Sequence, residues 1–194
     1  MLIHTFGDSH SYSGWGGIPN LRIHHLGPKL CYSFGRDGLN IKEEYGVNDG
    51  DVVIFCFGEI DCRCHIHKYI TDGDNYKQII DAIVDKYFIC ISEAVQPFSN
   101  IKTCVYNVVP PIEKSNTEES PEYPFLGTDE QRKTYVQYFN QKIKEKATEY
   151  CYIFFDVYDK YTDTNGFLNK SLSDGNVHIL DGKYIRDFVK ENLL

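Results

Sequence analysis

The chain has 194 residues, of which 42% are hydrophobic and 25% charged, and its formal net charge is -8. This length and composition favour a single globular domain over residues 1–194 and exclude disordered, collagen-like and fibrous proteins. The acidic balance also argues against a nucleic-acid partner, because neutralising phosphates requires a basic face.

Short apolar segments of strand length recur along the chain. They are rich in Val, Ile, Phe, Tyr and Cys and lack a clean polar alternation, which is typical of strands buried on both faces of a parallel sheet. The predicted strands are Leu2–Phe6, Leu30–Phe34, Asp51–Phe57, Ile101–Val109 and Tyr150–Val157.

Helices are predicted between and after these strands. Tyr76–Val95 and Asp129–Tyr150 carry apolar residues at helical spacing, with Thr128 or Asp129 as the N-cap of the second, and Gly182–Leu194 closes the chain. Strands that alternate with helices imply right-handed crossovers. The predicted fold class is therefore α/β, a three-layer α/β/α sandwich around a central, mostly parallel sheet of the five strands above.

The sequence also bears on location. The first ten residues lack the basic and long apolar regions of a secretory signal, and no stretch approaches the roughly 18 apolar residues of a membrane span. Most cysteines lie in apolar runs, where a free thiol behaves as a small buried hydrophobe. These are Cys31, Cys56, Cys90, Cys104 and Cys151. We expect a cytoplasmic protein without a membrane partner, or a domain of a larger cytoplasmic polypeptide.

Three polar segments are candidates for a site, two of them at the carboxyl ends of predicted strands, where a parallel α/β sheet places its sites, and one in a loop after the fifth strand. The first predicted strand ends in Gly7-Asp8-Ser9-His10, which puts a serine hydroxyl at the rim. The third ends in Gly58-Glu59-Ile60-Asp61-Cys62-Arg63, and Ser173-Asp174-Gly175-Asn176-Val177-His178 precedes the last helix. Each segment alone also suits an ordinary polar turn or N-cap. The polar segment Pro110–Gly127 is a candidate wall of the same site.

Together, these blocks resemble the SGNH (GDSL-like) hydrolase superfamily, in which the nucleophilic serine follows the first strand and a late Asp and His complete a triad. The resemblance implies that Ser9 attacks an ester carbonyl, that His178 accepts its proton and that Asp174 orients the imidazole. It further implies an oxyanion hole from the Ser9 N–H and a second-block glycine, Gly35 or Gly38.

The remaining polar residues of the first and third blocks are candidate oxyanion or substrate-binding residues by the same resemblance. These are Asp8, Glu59, Asp61 and Arg63. Two positions depart from the family pattern. Ile60 stands where the family has an Asn that donates to the oxyanion, and Arg63 is the candidate substitute; Asp174 precedes His178 by four residues rather than three.

Cys62, Cys64, His65 and His67 are chemically suited to zinc, but their spacing does not give the paired ligands of a structural zinc site. We therefore expect no metal, and we expect no cofactor.

The resemblance implies a serine esterase or acyltransferase that acts on short acyl esters, such as acetyl esters, of a small molecule or glycan. Ile60 motivates an alternative, a catalytically impaired domain that binds carbohydrate or another partner. A nucleotide binder of flavodoxin type shares the fold class, but the chain lacks a Gly-rich phosphate loop and a Walker lysine.

Overall fold

The computed structural model describes residues 1–71 and 75–194. Its centre is a sheet of five strands in the order β2-β1-β3-β4-β5, and every neighbouring pair is parallel. The strands are β1 (Ile3–Gly7), β2 (Leu21–His25), β3 (Val52–Cys56), β4 (Lys102–Tyr106) and β5 (Ile153–Phe155).

Helices connect the strands and cover both faces of the sheet. They are α1 (Cys31–Asp37), α2 (Ile41–Tyr45), α3 (Tyr76–Val95), α4 (Asp129–Glu149), α5 (Tyr158–Tyr161) and α6 (Lys183–Asn192). Thr128 caps α4, because its side chain accepts the Gln131 N–H while the Gln131 side chain accepts the Thr128 N–H.

Alternate strand residues point to opposite faces, which divides the core into two layers. On one face, Phe55 and Val105 pack with apolar residues of α1, α3 and α4. On the other, Ile54 and Tyr106 pack with Trp15 and with α5 and α6. The predicted three-layer α/β/α sandwich is therefore confirmed, and the sheet is parallel throughout.

The prediction of the second strand is wrong. Leu30–Phe34 is not a strand: Leu30 is the N-cap of α1, and the four residues that follow lie in that helix. The second strand is instead Leu21–His25, which lies at an edge of the sheet. Its residues are half-buried or exposed, so the segment lacks the apolar run that marks an interior strand.

The prediction that Cys151 is buried is also wrong. Cys31, Cys56, Cys90 and Cys104 are buried free thiols, but Cys151 is exposed. It lies in the turn between α4 and β5 with a φ of 57°, so it belongs to the end of the helix rather than to the strand predicted over Tyr150–Val157.

Within residues 1–71 and 75–194, no helix combines the length and the apolar character needed to cross a membrane.

Candidate active site

The turn after β1 brings Ser9 to the carboxyl edge of the sheet. Gly7, the last residue of β1, lies so close to β3 that a Cβ atom at this position would overlap the Cys56 carbonyl oxygen. Ser9 then begins a short 3₁₀ turn, whose N-cap is Asp8. The absence of a side chain at Gly7 thus lets the chain turn directly from a buried strand into the segment that carries Ser9.

Ser9, His178 and Asp174 form a continuous chain of hydrogen bonds. The distance from Ser9 Oγ to His178 Nε2 is 2.8 Å, and that from His178 Nδ1 to Asp174 Oδ2 is 2.9 Å. With the hydroxyl donating to Nε2, the ring proton lies on Nδ1 and is donated to the carboxylate. This is the arrangement of a nucleophile, a base and an orienting group.

The four-residue spacing between Asp174 and His178 does not prevent their contact. An antiparallel bridge between Ser173 and Ile179 closes the loop, and the Asp174 N–H donates to the His178 carbonyl at 3.1 Å. Asp174 Oδ1 accepts the backbone N–H of Asn176 at 2.8 Å and of His178 at 3.3 Å. The Asp174 carboxylate is therefore held at the closed end of a tight loop, with its second oxygen on the imidazole.

The charges around the triad favour a neutral imidazole and an ionised carboxylate. Burial lowers the pKa of His178 below its ordinary value, and the neighbouring His10 lowers it further, although Asp174 and Glu59 act in the opposite direction. Burial acts to raise the pKa of Asp174, but hydrogen bonds from the His178 ring and the Asn176 N–H outweigh it and the pKa is lowered. Near neutral pH, His178 can therefore accept a proton.

Asp8, predicted to bind substrate, instead holds His10. Its Oδ1 atom accepts the His10 N–H at 2.9 Å and lies 3.0 Å from His10 Nδ1. Asp8 is fully buried. The Asp8 carboxylate therefore makes hydrogen bonds within the turn that carries Ser9 and does not line the cavity in front of Ser9.

Gly35 and Gly38 do not occupy the place predicted for an oxyanion-hole glycine. Gly35 lies inside α1, where a Cβ atom would be 3.1 Å from the Tyr87 nitrogen of α3, and Gly38 is the C-cap of α1. Both assignments followed from the misplaced second strand.

The glycine that follows the true β2 is Gly27, whose φ of 75° is in the left-handed region. Its neighbours His25 and Pro28 line the cavity in front of Ser9. Over the described residues, neither the Ser9 nor the Gly27 N–H has an acceptor. Both N–H groups are therefore available as hydrogen-bond donors.

Glu59, which is buried, and Arg63, which is half-buried, form an ion pair at the edge of the site. Arg63 Nε donates to Glu59 Oε1 at 2.7 Å and Nη2 donates to Oε2 at 3.0 Å, while Nη1 donates to the Tyr123 carbonyl at 2.5 Å. Burial acts to raise the pKa of Glu59, but Arg63 outweighs it, so the carboxyl pKa is lowered. Arg63 thus ties the third block to the Pro110–Gly127 segment.

Asp61 does not face the cavity either. Its carboxylate accepts the backbone N–H groups of Cys31 at 2.6 Å and of Tyr32 at 3.1 Å, so it caps the N-terminus of α1 from another part of the chain. Burial raises the pKa of Asp61 to about 7, although these two hydrogen bonds act against the rise.

A cavity of about 290 Å³ opens in front of Ser9 and His178. Ile60 and Arg63 form one side of it. Glu118, Ser120, Tyr123 and Phe125, all from the Pro110–Gly127 segment, form another. A larger open cavity of about 850 Å³, which includes Gly38, shares only His25 with the first. The Pro110–Gly127 segment therefore lines the same cavity as Ser9 and His178.

The Cys62–His67 segment is occupied by other contacts. The Cys64 thiol donates to the Ile60 carbonyl, the His65 ring packs between Tyr32 and Tyr69, and His67 Nδ1 lies 3.1 Å from the Tyr135 hydroxyl. Among the residues whose positions are described, no three His, Cys, Asp or Glu side chains converge as metal ligands.

Two residues of this site had no role in the sequence prediction. His10 and Gly27 each follow a strand directly or within a few residues, a position that α/β sheets use for sites. Gly27 was missed because the edge strand that precedes it, β2, was not predicted from the sequence. For His10, the sequence carries no sign that its ring turns inward to the loop that bears His178.

The sequence matches no protein-family model and no curated protein. Solved structures do share its fold. A protein from Streptococcus pneumonia with the provisional name platelet activating factor is 18% identical, with a TM-score of 0.69 over 99% of this chain and 83% of that one. A GDSL-like lipase from Bacteroides thetaiotaomicron is 14% identical, with a TM-score of 0.63 over 97% and 85% of the two chains. An aryl esterase from M. smegmatis is 14% identical, with a TM-score of 0.57 over 99% of each chain.

Proposed function

We propose that this chain, which has the three-layer fold of the SGNH and GDSL-like hydrolases, is a serine esterase that acts on short acyl esters. The observation that carries the proposal is the hydrogen-bonded chain from Ser9 Oγ through His178 to Asp174 at the carboxyl edge of a parallel sheet. The neighbours described as a GDSL-like lipase and an aryl esterase support the same class of reaction.

In the proposed reaction, Ser9 Oγ attacks the ester carbonyl carbon while its proton moves to His178 Nε2. Collapse of the tetrahedral intermediate breaks the bond to the alcohol, which leaves with that proton, and an acyl-Ser9 ester remains. Water then attacks the acyl group, with His178 again accepting the proton, and releases the acid. An acceptor hydroxyl in place of water would give acyl transfer by the same steps.

The oxyanion requires hydrogen-bond donors that are already in place. We assign this role to the Ser9 and Gly27 N–H groups, which have no other acceptor in the described residues. The Ile60 side chain lines the cavity but carries no hydrogen-bond donor. Glu59 and the Tyr123 carbonyl engage three of the five N–H groups of Arg63, which leaves two as candidate donors at the cavity that Arg63 lines.

The form of the cavities suits a short acyl group on a polar alcohol. Ile60, Tyr123 and Phe125 give the cavity at Ser9 an apolar side for the acyl chain. The adjoining 850 Å³ cavity offers Asn40, Glu44 and Glu93, whose side chains can bond the hydroxyl groups of a carbohydrate. We therefore propose an acetylated glycan or a similar polyhydroxylated ester as the substrate.

Because the Ile60 side chain has no hydrogen-bond donor, a second candidate function is a domain that binds such esters without cleaving them. In that case Ser9 would have ordinary reactivity, and Ser9→Ala would leave ligand binding intact. Reactivity of the serine therefore distinguishes the two functions.

The test is the intact mass of the protein after exposure to a fluorophosphonate probe, which reacts with activated serines. We expect one adduct on the wild type, none on Ser9→Ala, and at least about a hundredfold slower labelling of His178→Ala. Ser13→Ala is the matched control, because Ser13 lies in the same segment outside the triad, and it should label like the wild type. A folded wild-type protein without an adduct would overturn the esterase and favour the binding domain.

A further inference from the structure

The imidazole of His10 lies between two hydrogen-bond acceptors. Its Nδ1 atom is 3.0 Å from Asp8 Oδ1, and its Nε2 atom is 3.2 Å from the Val177 carbonyl oxygen. A neutral imidazole carries a single N–H, whereas the imidazolium carries two. Only the protonated ring can therefore donate to both partners at once.

The surroundings of His10 favour that charged state. Burial opposes it, but the Asp8 carboxylate, Glu59 and the Val177 carbonyl together raise the pKa of His10 to about 9. Asp8 belongs to the same turn, and Glu59 comes from the segment after β3. The His178 ring also faces His10 and would carry a like charge if it were protonated. The Trp15 indole N–H donates to the His10 carbonyl at 2.8 Å and fixes the backbone.

His10 also joins the two segments that carry the triad. The carbonyl it holds belongs to Val177, the residue before His178, while Asp8 precedes Ser9. The rings of His10 and His178 lie 5.2 Å apart between centroids. A cation at this distance disfavours a second positive charge on His178.

We propose that His10 is a positioning residue that is an imidazolium at neutral pH: it holds the loop of His178 against the turn of Ser9 and keeps His178 in its neutral, proton-accepting form. This inference rests on the proposed esterase function. His10 acts through His178 and has no place in the cavity itself, since it is not among the residues that line it.

The decisive variant is His10→Gln, which is neutral and still carries an amide donor. With the cation removed, the pKa of His178 should rise by about 0.5 to 1 unit, as expected for a unit charge about 5 Å away in a partly screened site. The acid limb of kcat/KM for p-nitrophenyl acetate should move to higher pH by the same amount. The loss of the clamp should also lower kcat by about tenfold or more, because the base is less well oriented.

The matched control is His65→Gln. The His65 ring packs against Tyr32 and Tyr69 rather than against the triad, so the same substitution there should leave the acid limb in place. A merely structural role of His10 predicts lower activity or stability with an unmoved acid limb, and that result would overturn the proposal.

Nuclear magnetic resonance titration of the histidine rings supplies a readout that requires neither turnover nor a variant. In the wild type, the His10 ring should keep both N–H protons at pH 7.5; titration near pH 6.5 would overturn the proposal even if His10→Gln did not fold.

The experiments also distinguish failure of the esterase proposal from failure of the proposal for His10. A His178 pKa that rises in His10→Gln, on a protein that fails to label, overturns only the esterase. An unshifted His178 on a protein that labels overturns only the role of His10.

Discussion

Single side chains decide the proposed chemistry of this site, and Ile60 is one whose change should raise the activity. It lines the cavity beside Ser9 and is only 4% exposed. An amide at this position would add the donor that the resemblance to the family implies, whereas Glu59 and the Tyr123 carbonyl already engage three of the five N–H groups of Arg63. Removing one such donor from other enzymes costs roughly a hundred- to a thousandfold in kcat.

We predict that Ile60→Asn raises kcat for p-nitrophenyl acetate by about tenfold, with little change in KM, because the new contact strengthens mainly in the transition state. This increase in kcat is smaller than the decrease seen when such a donor is removed from another enzyme, because the residues around position 60 are not arranged to orient an amide. Ile60→Leu, which keeps the volume and adds no donor, is the control. Equal kcat values for the two variants would show that the missing donor does not limit the rate.

At the residue scale, the contact between Ser9, His178 and Asp174 was predictable, because a serine after the first strand and a late Asp-His pair before the last helix follow a recognisable order. Ser9, His178 and Asp174 lie together as the sequence implied. Asp8 and Asp61 were placed in the site wrongly. Both are short carboxylates after strands, and the sequence cannot say that Asp8 turns inward to His10 while Asp61 reaches the N-terminus of α1.

At the scale of elements, prediction succeeded where periodicity was strong and failed where burial was partial. The bounds of α3 agree with the predicted Tyr76–Val95. The edge strand β2 was missed, because it pairs with a strand on one side only and its residues are half-buried or exposed, so its sequence is polar. The start of α1, in contrast, has the apolar and aromatic composition of a buried strand. That single error moved the expected oxyanion glycine from Gly27 to Gly35 or Gly38.

The end of α4 shows a local strain that can be measured. The Tyr152 N–H donates to the Ala147 carbonyl at 2.8 Å and the Cys151 N–H to the Thr148 carbonyl at 3.2 Å, which is a Schellman motif. This motif usually has glycine at the left-handed position, but here Cys151 adopts a φ of 57°. The side chain therefore sits in a conformation that an L-residue adopts at a cost.

We predict that Cys151→Gly raises the free energy of unfolding by about 0.5 to 1 kcal/mol, the left-handed cost less the extra entropy of glycine in the unfolded chain. Urea denaturation should show a higher midpoint with an unchanged slope. Cys151→Ala removes the thiol but keeps the Cβ atom, so its midpoint should stay near that of the wild type. A glycine variant no more stable than the alanine variant would contradict the argument.

On the scale of the whole molecule, the site depends on bringing the two ends of the chain together. Ser9 and His178 are 169 residues apart in sequence, yet they share a hydrogen bond. Gly14, shortly after Ser9, lies so close to Gly182 at the start of α6 that a Cβ atom at Gly182 would overlap its carbonyl oxygen. His10 and Val177 add a polar contact between the same two segments. Protonation of His10 should therefore contribute to the stability of the fold as well as to the site.

The sign of that contribution follows from linkage. The pKa of His10 is about 9 in the folded chain, against 6.5 for an ordinary histidine, so the folded state binds the proton more tightly. The resulting stabilisation is fully present below pH 6.5 and is lost as the pH rises through about 9. A shift of this size corresponds to at most about 3 to 4 kcal/mol.

We therefore predict that the free energy of unfolding that His10→Gln loses relative to the wild type depends on pH. This loss should be about 2 to 3 kcal/mol larger at pH 6 than at pH 9.5, as measured by urea denaturation at both pH values. His65→Gln again serves as the control, because burial lowers the pKa of His65 and the folded state therefore binds this proton more weakly than the unfolded chain does. Its difference from the wild type should therefore change in the opposite direction, with the wild type relatively less stable at pH 6 than at pH 9.5. A difference for His10→Gln that does not change with pH would mean that the buried ring is neutral, and that the clamp between the ends of the chain carries no charge.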